Sequence, residues 1–258
     1  MGNVLRLTAV LSAALLLTAC SSTPEVPATD EIASSATTAP AEDEKGQSLP
    51  FNAGGLLGGN AAPNLPDGEP DEVAVVQIGP LDKPGIGATL LFAFRNNTSE
   101  AISHVDWTAT ARSGGSIVST GSSQGATPSQ VQPGEIGLAY IYFENGETIP
   151  EDAEYEFTVS TSPADTSPYN TAPLKVTEAN LSGDAIVGSA TNATGAEATG
   201  PYGVNVYCFE GDTIVSQFMT FAEQDGEIAD GGTVSFTTSL YGEECPSFAV
   251  GVSGYFSG

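Results

Sequence analysis

The chain has 258 residues, of which 32 are acidic, 6 are basic and one is histidine, and its formal net charge is −26. This balance argues against binding to nucleic acid, which depends on Lys and Arg side chains that neutralise phosphates. It favours solubility, cationic partners and divalent cations, although acidic surfaces are also common among exported proteins and in high-salt environments.

The N-terminus has the pattern of an export signal. Arg6 precedes an apolar run over Leu7–Leu17, and small residues follow it in Leu17-Thr18-Ala19-Cys20. This end resembles a bacterial lipobox, which implies that residues 1–19 are removed and that Cys20 becomes an N-terminus modified by acyl chains such as palmitate. The run is too short to cross a bilayer, which takes about 20 apolar residues. We therefore expect an anchor on the extracytoplasmic face of the cell membrane, with a plain secretory signal as the alternative.

Residues 20–70 are predicted to form a disordered acidic linker rich in Pro, Ala, Thr and Gly. Such a composition cannot bury enough apolar surface to offset the entropy of ordering. A flexible segment of this length would span on the order of 40 Å and carry a folded part away from the membrane. Its only apolar groups are Leu49-Pro50-Phe51 and Leu56-Leu57, which we interpret as isolated residues and not as docking points.

From residue 71 onward, runs of Val, Ile, Phe, Tyr and Thr alternate with turn residues, which predicts strands. Several runs alternate with period two, as Leu138, Tyr140 and Tyr142 do. A first set of predicted strands covers Val73–Ile78, Ala88–Arg95, Ile102–Arg112, Ser116–Thr120, Ile136–Phe143 and Tyr155–Thr161. A second set covers Leu174–Glu178, Asp184–Thr191, Gly203–Glu210, Thr213–Phe218, Thr233–Leu240 and Ser247–Tyr255. We predict an all-β fold of two tandem immunoglobulin-like or fibronectin-III-like β-sandwiches, over residues 71–163 and 173–258.

The two sets of strands have the character of an internal repeat. Asn96-Asn97-Thr98 corresponds to Asn192-Ala193-Thr194 at an offset of 96 residues. Two further anchors keep nearly the same offset, 97 for the run from Gly114 and 98 for Pro133-Gly134 against Gly231-Gly232. The join falls in a segment over residues 162–172 that is rich in Pro, Ser and Thr, a composition suited to a short linker between domains.

Each repeat runs through a strand, an Asn-X-Thr turn, a long strand, a glycine turn, an Ile-Val strand and a strand of alternating aromatics. The second repeat carries Val206-Tyr207-Cys208-Phe209-Glu210-Gly211-Asp212. This arrangement resembles the FxLYD domains of bacterial envelope lipoproteins, although Cys208 and Phe209 depart from the family motif. The resemblance implies a β-sandwich fold and a location at the cell surface. It supplies no catalytic or binding residues.

The chain has three cysteines. With Cys20 assigned to lipid, Cys208 and Cys245 remain as a pair, and in an oxidising exterior we expect them to form a disulfide. Closing a loop of about 37 residues would stabilise the fold by roughly 3–4 kcal/mol. A metal site is the rival interpretation, but this spacing without a nearby histidine makes a poor ligand set.

The sequence offers no pattern typical of a catalytic centre. A Ser-His-Asp arrangement needs a histidine as proton shuttle, and we expect the single histidine, His104, to lie on the outer face of a strand. On the same strand Trp107 is predicted to fill the core of the first sandwich, with Val204 at the corresponding place in the second. No P-loop or nucleophile elbow is present. We therefore predict that the protein is not an enzyme and needs no cofactor.

The carboxylates are grouped in predicted turns. The densest groups are Asp67, Glu69, Asp71 and Glu72; Glu151, Asp152 and Glu154; and Glu223, Asp225, Glu227 and Asp230. The last group alternates oxygen donors with a glycine, but its spacing does not match an EF-hand loop. We interpret these residues as solvated turn acids, with calcium binding as the alternative.

These features give a leading hypothesis and one from another class. The first is a non-enzymatic, lipid-anchored protein of the cell envelope that presents two β-sandwich modules to a protein or cell-wall partner. The alternative is a lipoprotein that binds a small ligand or calcium and serves a membrane transporter. The missing helices argue against the alternative, because solute-binding proteins usually have two α/β lobes.

Overall fold

The computed structural model describes residues 49–85 and 87–258, which belong to one compact unit. The predicted signal peptide (residues 1–19), the lipidation site Cys20 and residues 20–48 of the predicted linker lie outside the described residues. Strands dominate the described part, which has one 3-10 turn at Gly146–Thr148. The all-β prediction is confirmed.

The first module is one curled antiparallel sheet. Its strands are β2 (Val73–Asp82), β3 (Ala88–Asn96), β4 (Ile102–Ser113), β5 (Ser116–Thr127), β6 (Gln130–Val131), β7 (Ile136–Phe143) and β8 (Glu154–Pro163). The strand order is β2-β3-β7-β5-β4, and both β6 and β8 also pair with β4. The long strand β4 therefore links the β8 edge to the rest of the sheet.

The second module follows the same architecture. Its strands are β9 (Thr171–Ser182), β10 (Ala185–Thr191), β11 (Ala198–Glu210), β12 (Thr213–Phe221), β13 (Thr233–Ser239) and β14 (Phe248–Phe256). They lie in the order β12-β11-β14-β9-β10-β13. Each of the twelve predicted strands corresponds to one of the observed strands, although most observed strands are longer. The prediction missed β6 and a strand at residues 57–59.

The two modules repeat one pattern of strand pairs. The pairs β2–β3, β3–β7, β4–β5 and β4–β8 of the first module recur as β9–β10, β10–β13, β11–β12 and β11–β14 of the second. A different strand pair completes the sheet in each module. In the first, β5 pairs with β7; in the second, β14 pairs with β9 instead.

The Asn-X-Thr turns have the same structure in both modules. Asn96 and Asn192 are fully buried, and each side chain accepts hydrogen bonds from the backbone and hydroxyl of the Thr two residues later. Each side-chain amide also donates to two backbone carbonyls. Each asparagine thereby hydrogen-bonds the backbone groups of its turn from inside the fold, and its own buried polar atoms all have partners.

One anchor of the predicted repeat needs a correction. The N–H of Gly134 donates to the carbonyl of Asn96, and the N–H of Gly231 donates to the carbonyl of Asn192. Gly134 therefore corresponds to Gly231 and not to Gly232. Both glycines have positive φ, +79° and +82°, which a glycine adopts at no steric cost. The offset at this anchor is thus 97 residues and not 98.

Each module has its own hydrophobic core. In the first, Trp107 packs against Phe92, Phe94 and Phe157, with ring centroids 5.3–6.1 Å apart. Such aromatic pairs add to the free energy gained from burial alone. In the second, the counterpart Val204 is fully buried beside other core residues that include both Cys208 and Cys245. The cystine thus occupies part of the volume that aromatic rings fill in the first core.

The predicted linker is wrong for its C-terminal part. Strand β1 (Leu57–Gly59) pairs with β14, and Leu57 is fully buried. Strand β9 pairs with β14 only as far as Leu174 and then continues beside β10, so β1 takes the edge of β14 that β9 leaves. Composition suggested disorder, but an extended strand needs only a few well-placed apolar side chains and an available edge.

Candidate functional site

Residues 49–66, here called the strap, pack between the two modules. The strap and both modules contribute to a shared hydrophobic cluster, the interface cluster. Its buried members are Leu49, Phe51, Leu57, Ala61 and Leu65 of the strap, Leu91, Ala93, Ile136 and Leu138 of the first module, and Tyr207, Phe209, Ile214 and Ala249 of the second. Burying one Leu or Phe side chain contributes about 1.5–3 kcal/mol, so these contacts stabilise the strap against both modules.

Backbone hydrogen bonds connect the strap to both modules. The N–H of Ile136 donates to the carbonyl of Phe51 at 3.2 Å, and the N–H of Val176 donates to the carbonyl of Gly55 at 2.9 Å. Further along, the N–H of Asn64 donates to the carboxylate of Asp212 at 2.7 Å. Domains in one chain move relative to each other unless their interface is extensive and apolar. The strap and the interface cluster thus fix the two modules as a pair.

Glu135 is a buried carboxylate beneath the strap. Its Oε1 accepts a 2.7 Å hydrogen bond from the N–H of Gly54, whereas its buried Oε2 has no partner among the described residues. Burial raises the pKa of this carboxyl above its ordinary value, and the hydrogen bond from Gly54 opposes that shift without cancelling it. One of the contacts between the strap and the first module therefore involves an ionisable side chain.

The two cysteines of the second module form the expected disulfide. Cys208 lies on β11 and Cys245 on the loop before β14, with their Cα atoms 5.3 Å apart. Both residues are buried, so they contribute to the core and present no accessible thiol. Cys20, the other predicted modification site, lies outside the described residues.

His104 is exposed, as the sequence suggested, but it lies in a bulge of β4. Its φ is +46°, and the pairing with β8 shifts between Ser103 and Asp106. Its Nε2 is 2.8 Å from Oδ1 of Asn170. This histidine therefore connects the first module to the segment between the modules, which is a structural contact.

Asp165 organises the same segment between the modules. It accepts hydrogen bonds from the N–H of Ser167 at 2.9 Å and from the side-chain amide of Asn170. The bond from the Ser167 backbone is the main reason that the pKa of Asp165 lies below its ordinary value, with smaller contributions from Asn170 and His104. The segment is consequently folded onto the first module instead of hanging freely.

The predicted acidic groups do not converge. Among residues 49–85 and 87–258, no three His, Cys, Asp or Glu side chains come together in a way that could hold a metal ion. The carboxylate of Asp230, for example, accepts the N–H of Gly195 and belongs to a turn.

The best candidate for a functional site is a groove between the modules. It consists of two adjoining cavities of about 360 and 600 Å³, and both are lined by Tyr140 of β7 and Gln217 of β12. His104, Asp106 and Asn205 lie along the smaller cavity, and Asp82, Tyr142 and Glu243 lie along the larger one. Clefts between domains are a frequent place for ligand sites.

The groove is polar and negatively charged. Its acidic side chains are the carboxylates of Asp82, Asp106 and Glu243, its one basic side chain is His104, and the described residues that line it include no Lys or Arg. Carboxylates, amides and hydroxyls of this kind bind hydrogen-bond donors and cations, whereas an anion would be repelled.

Hydrogen bonds hold the floor of the groove in place. The side-chain amide of Gln217 donates to Oδ1 of Asn205 and to the hydroxyl of Tyr207, both at 3.2 Å. The Tyr207 hydroxyl in turn donates to the carbonyl of Leu138 at 3.4 Å. Burial raises the pKa of Tyr207 far above its ordinary value, so this side chain stays neutral. These bonds join β11 and β12 of one module to β7 of the other.

The sequence contained a signal for this groove that its interpretation missed. Leu138, Tyr140 and Tyr142 share the face of β7 that looks away from the core of the first module, while Ala139, Ile141 and Phe143 fill that core. A strand that is apolar or aromatic on both faces is covered on both faces. The pattern therefore indicated a second packing surface.

Comparisons with known proteins yield little. No protein-family model and no curated protein matches the chain. One solved structure with some similarity is a secreted serine protease, VesC from Vibrio cholerae, at 12% sequence identity and a TM-score of 0.20. The match covers 72% of this chain and 51% of the protease chain, so the chain spans about half the length of that structure. At this TM-score the similarity supports no statement about fold or function.

No helix in the described part of the chain is long and apolar enough to cross a bilayer.

Proposed function

We propose that this protein is a non-enzymatic, lipid-anchored component of the cell envelope that presents two β-sandwich modules to a protein or cell-wall partner. The observation that carries the proposal is the acid-lined groove between two modules that the strap holds together. A fixed groove binds a partner without first ordering itself, which lowers the entropic cost of association.

The sequence supports an anchor at the other end of the chain. The apolar run that ends in Leu17-Thr18-Ala19-Cys20 is the reason to place a lipid on Cys20, and residues 20–48 then separate that lipid from the strap. Anchoring of this kind takes more than one acyl chain to be stable. The modules would lie on the extracytoplasmic side, where the Cys208–Cys245 disulfide is favoured.

The chemistry of the groove favours binding over catalysis. General acid–base and nucleophilic mechanisms need a base aligned with a nucleophile or with a reacting proton. The ring of His104 instead has Asn170 as its hydrogen-bond partner. Uncharged side chains such as Gln217, Asn205 and Tyr140 dominate the rest of the lining and offer contacts suited to recognition.

Fractionation of cells tests the anchor. The Cys20→Ala variant should leave the membrane fraction and appear in the periplasm or medium, because the acceptor of the lipid is gone. A Ser21→Ala variant is the matched control and should stay membrane-bound. Retention of the Cys20→Ala protein in the membrane at wild-type levels would contradict the lipoprotein proposal.

Site-specific photo-crosslinking in cells tests the groove. A photoreactive amino acid in place of Tyr142, which is 43% exposed in the larger cavity, should capture a partner from the envelope. The same amino acid in place of Ile117, which is 60% exposed but does not line the groove, is the control. Equal capture from both positions, or capture from Ile117 alone, would place the binding surface elsewhere.

A further inference from the structure

The second module lacks one strand pairing that closes the sheet of the first module. In the first module, β5 pairs with β7 from Ser122 to Thr127. In the part of the chain that the structure describes, the corresponding strands β12 and β13 share no such ladder and are the two end strands of their sheet. The described hydrogen bonds that join them lie beyond the end of β12. There the N–H of Glu223 donates to the carbonyl of Ser235 at 2.9 Å, and the N–H of Ser235 donates to Oε1 of Gln224 at 2.7 Å.

The edge of β12 lines the groove. Four consecutive residues, Val215 to Phe218, border the larger cavity. Side chains in a strand alternate between opposite faces, so four neighbours reach one cavity only when the strand presents its edge to it. At Ile214 this edge is already used, since its N–H donates to Oε1 of Gln77 on β2 at 3.3 Å. Among the described residues, the main chain of residues 215–218 has no hydrogen bond beyond its ladder with β11, so its outer donors and acceptors face whatever occupies the groove.

The corresponding stretch in the first module is covered. There the hydroxyl of Thr148, in the 3-10 turn, donates to the carbonyl of Val118 at 3.3 Å. Val118 corresponds to Val215 in the repeat, and the described residues place no equivalent turn over Val215. The turn that covers this strand in the first module therefore has no counterpart in the second, where β2 contacts β12 at Ile214 instead.

Strand β12 has fewer of the features that protect exposed edges than β2 and β8 have. Proteins block sheet edges with charges, prolines or bulges that prevent another strand from pairing. Strand β2 has Pro80 and two irregularities in its pairing, and β8 has Glu154, Glu156 and Pro163. The nine residues of β12 include no charge, no Pro and no Gly, and many favour strands. Its pairing with β11 has a single irregularity, at Val215. Such an edge readily accepts a further strand.

We propose that the edge of β12 in the groove binds an extended segment of a protein partner by strand addition, and that this segment carries Lys or Arg. The inference deepens the proposed function and rests on it for the existence of a partner. Main-chain hydrogen bonds to β12 would provide affinity, and pockets for alternate side chains would provide specificity. The segment would pair antiparallel or parallel along residues 215–218, beside the first module.

The charge and the exposed apolar side chains around β12 indicate the composition of the added segment. Asp82 and Glu243 line the same cavity as the β12 edge, so a basic side chain entering it meets carboxylates and no competing cation from the lining. Beyond the cavity, Met219 and Phe221 are 67% and 59% exposed and lie two residues apart on the same strand face. Apolar side chains of the added segment would cover them.

A titration with synthetic peptides tests the inference. The probe is a fluorescein-labelled hexapeptide of alternating Lys and Val with blocked ends, measured by fluorescence anisotropy against the purified full chain. Two comparison peptides replace Lys by Glu or carry N-methyl groups on alternate amides, which removes the N–H donors of one edge. We expect the Lys-Val probe to bind and both comparison peptides to bind about tenfold more weakly or not at all.

Protein variants locate the site. Gln217→Lys places a cation on β12 in the groove and should weaken binding of the Lys-Val probe by about tenfold. Thr158→Lys adds the same charge to an exposed position of β8 and should leave binding unchanged. If Gln217→Lys alters the fold, amide hydrogen exchange of the wild-type chain decides the matter. Bound probe should slow exchange within residues 215–218 and leave β8 unaffected.

Several results would overturn strand addition. These are equal binding of the N-methylated and unmodified probes, no binding of the probe, and binding with no protection of β12. A neutral hexamer of N-acetylglucosamine that binds where the peptide does not would assign the groove to a saccharide. Strand addition can fail without contradicting the proposed function. A partner captured through Tyr142 in cells would still support the groove as the binding site.

Discussion

At the scale of single residues, buried polar groups set the positions of the turns and of the strap. The sequence identified the Asn-X-Thr turns as a repeat, because identical residues recur at a constant offset. It did not indicate that Asn96 and Asn192 point inward and hold four hydrogen bonds each, since a polar residue in a turn is normally exposed. The sequence did not identify Glu135 for the same reason, because only the folded chain shows which of the 32 acidic residues is buried.

Glu135 should make stability depend on pH in a direction opposite to that of a salt-bridged acid. Its pKa is raised in the folded state from an ordinary value of 4.5, so the folded chain binds this proton more tightly than the unfolded chain. This contribution is therefore most favourable below pH 4.5 and is lost as pH rises from 4.5 through the raised pKa.

The Glu135→Gln variant isolates that effect. The amide oxygen of Gln can still accept the N–H of Gly54, but the side chain cannot ionise. We expect the melting temperature of the wild type, relative to the variant, to fall as pH rises above 4.5 and then to level off. Thermal melts of both proteins in parallel buffers measure this difference. A difference that is constant across the pH range would show that the pKa of Glu135 is the same in the folded and unfolded chain, and so is not raised by folding.

At the scale of elements, the strands were predictable and the strap was not. The twelve predicted strands alternate with turn residues and bury at least one face, which gives a strong pattern. Strand β1 has three residues, two of them glycines, and its stability comes from the edge of β14 and from Val176 beside Gly58. No local pattern encodes an edge that lies almost 200 residues away in the chain.

The strap should lose most of its stability when its central side chain is shortened. Leu57 is fully buried in the interface cluster, and Leu→Ala substitutions at such positions cost about 2–5 kcal/mol. Leu56→Ala is the matched control, because the neighbouring side chain is only partly buried and is not a member of that cluster. Denaturant titrations of both variants measure the two costs. A Leu56→Ala variant as unstable as Leu57→Ala would mean that the strap is held by its backbone and not by the buried leucine.

At the scale of the whole molecule, the interface cluster joins the two repeats, and we predict that they unfold as one cooperative unit. Each repeat buries a core of its own, and the sequence predicted that much from composition and period. The sequence did not predict how the repeats pack together, because Leu138 of the first repeat meets Tyr207 and Phe209 of the second only in the folded chain. The alternation of apolar residues in these strands indicated two outward apolar faces, but it did not predict that the two faces pack against each other. The groove exists only as a consequence of that packing.

Loss of the disulfide tests this coupling. Cys208→Ser removes a covalent link whose loss typically costs about 2–5 kcal/mol, and the direct damage lies in the second module. Since Tyr207 and Phe209 flank Cys208 and belong to the interface cluster, we expect the first module to lose stability as well. Scanning calorimetry should record a single transition for the wild type and a single transition at lower temperature for the variant. Amide exchange of the first-module core, around Phe92 and Trp107, should accelerate in step. Two separate transitions, with the first module melting at its wild-type temperature, would mean that the modules fold independently and that the groove between them is free to open.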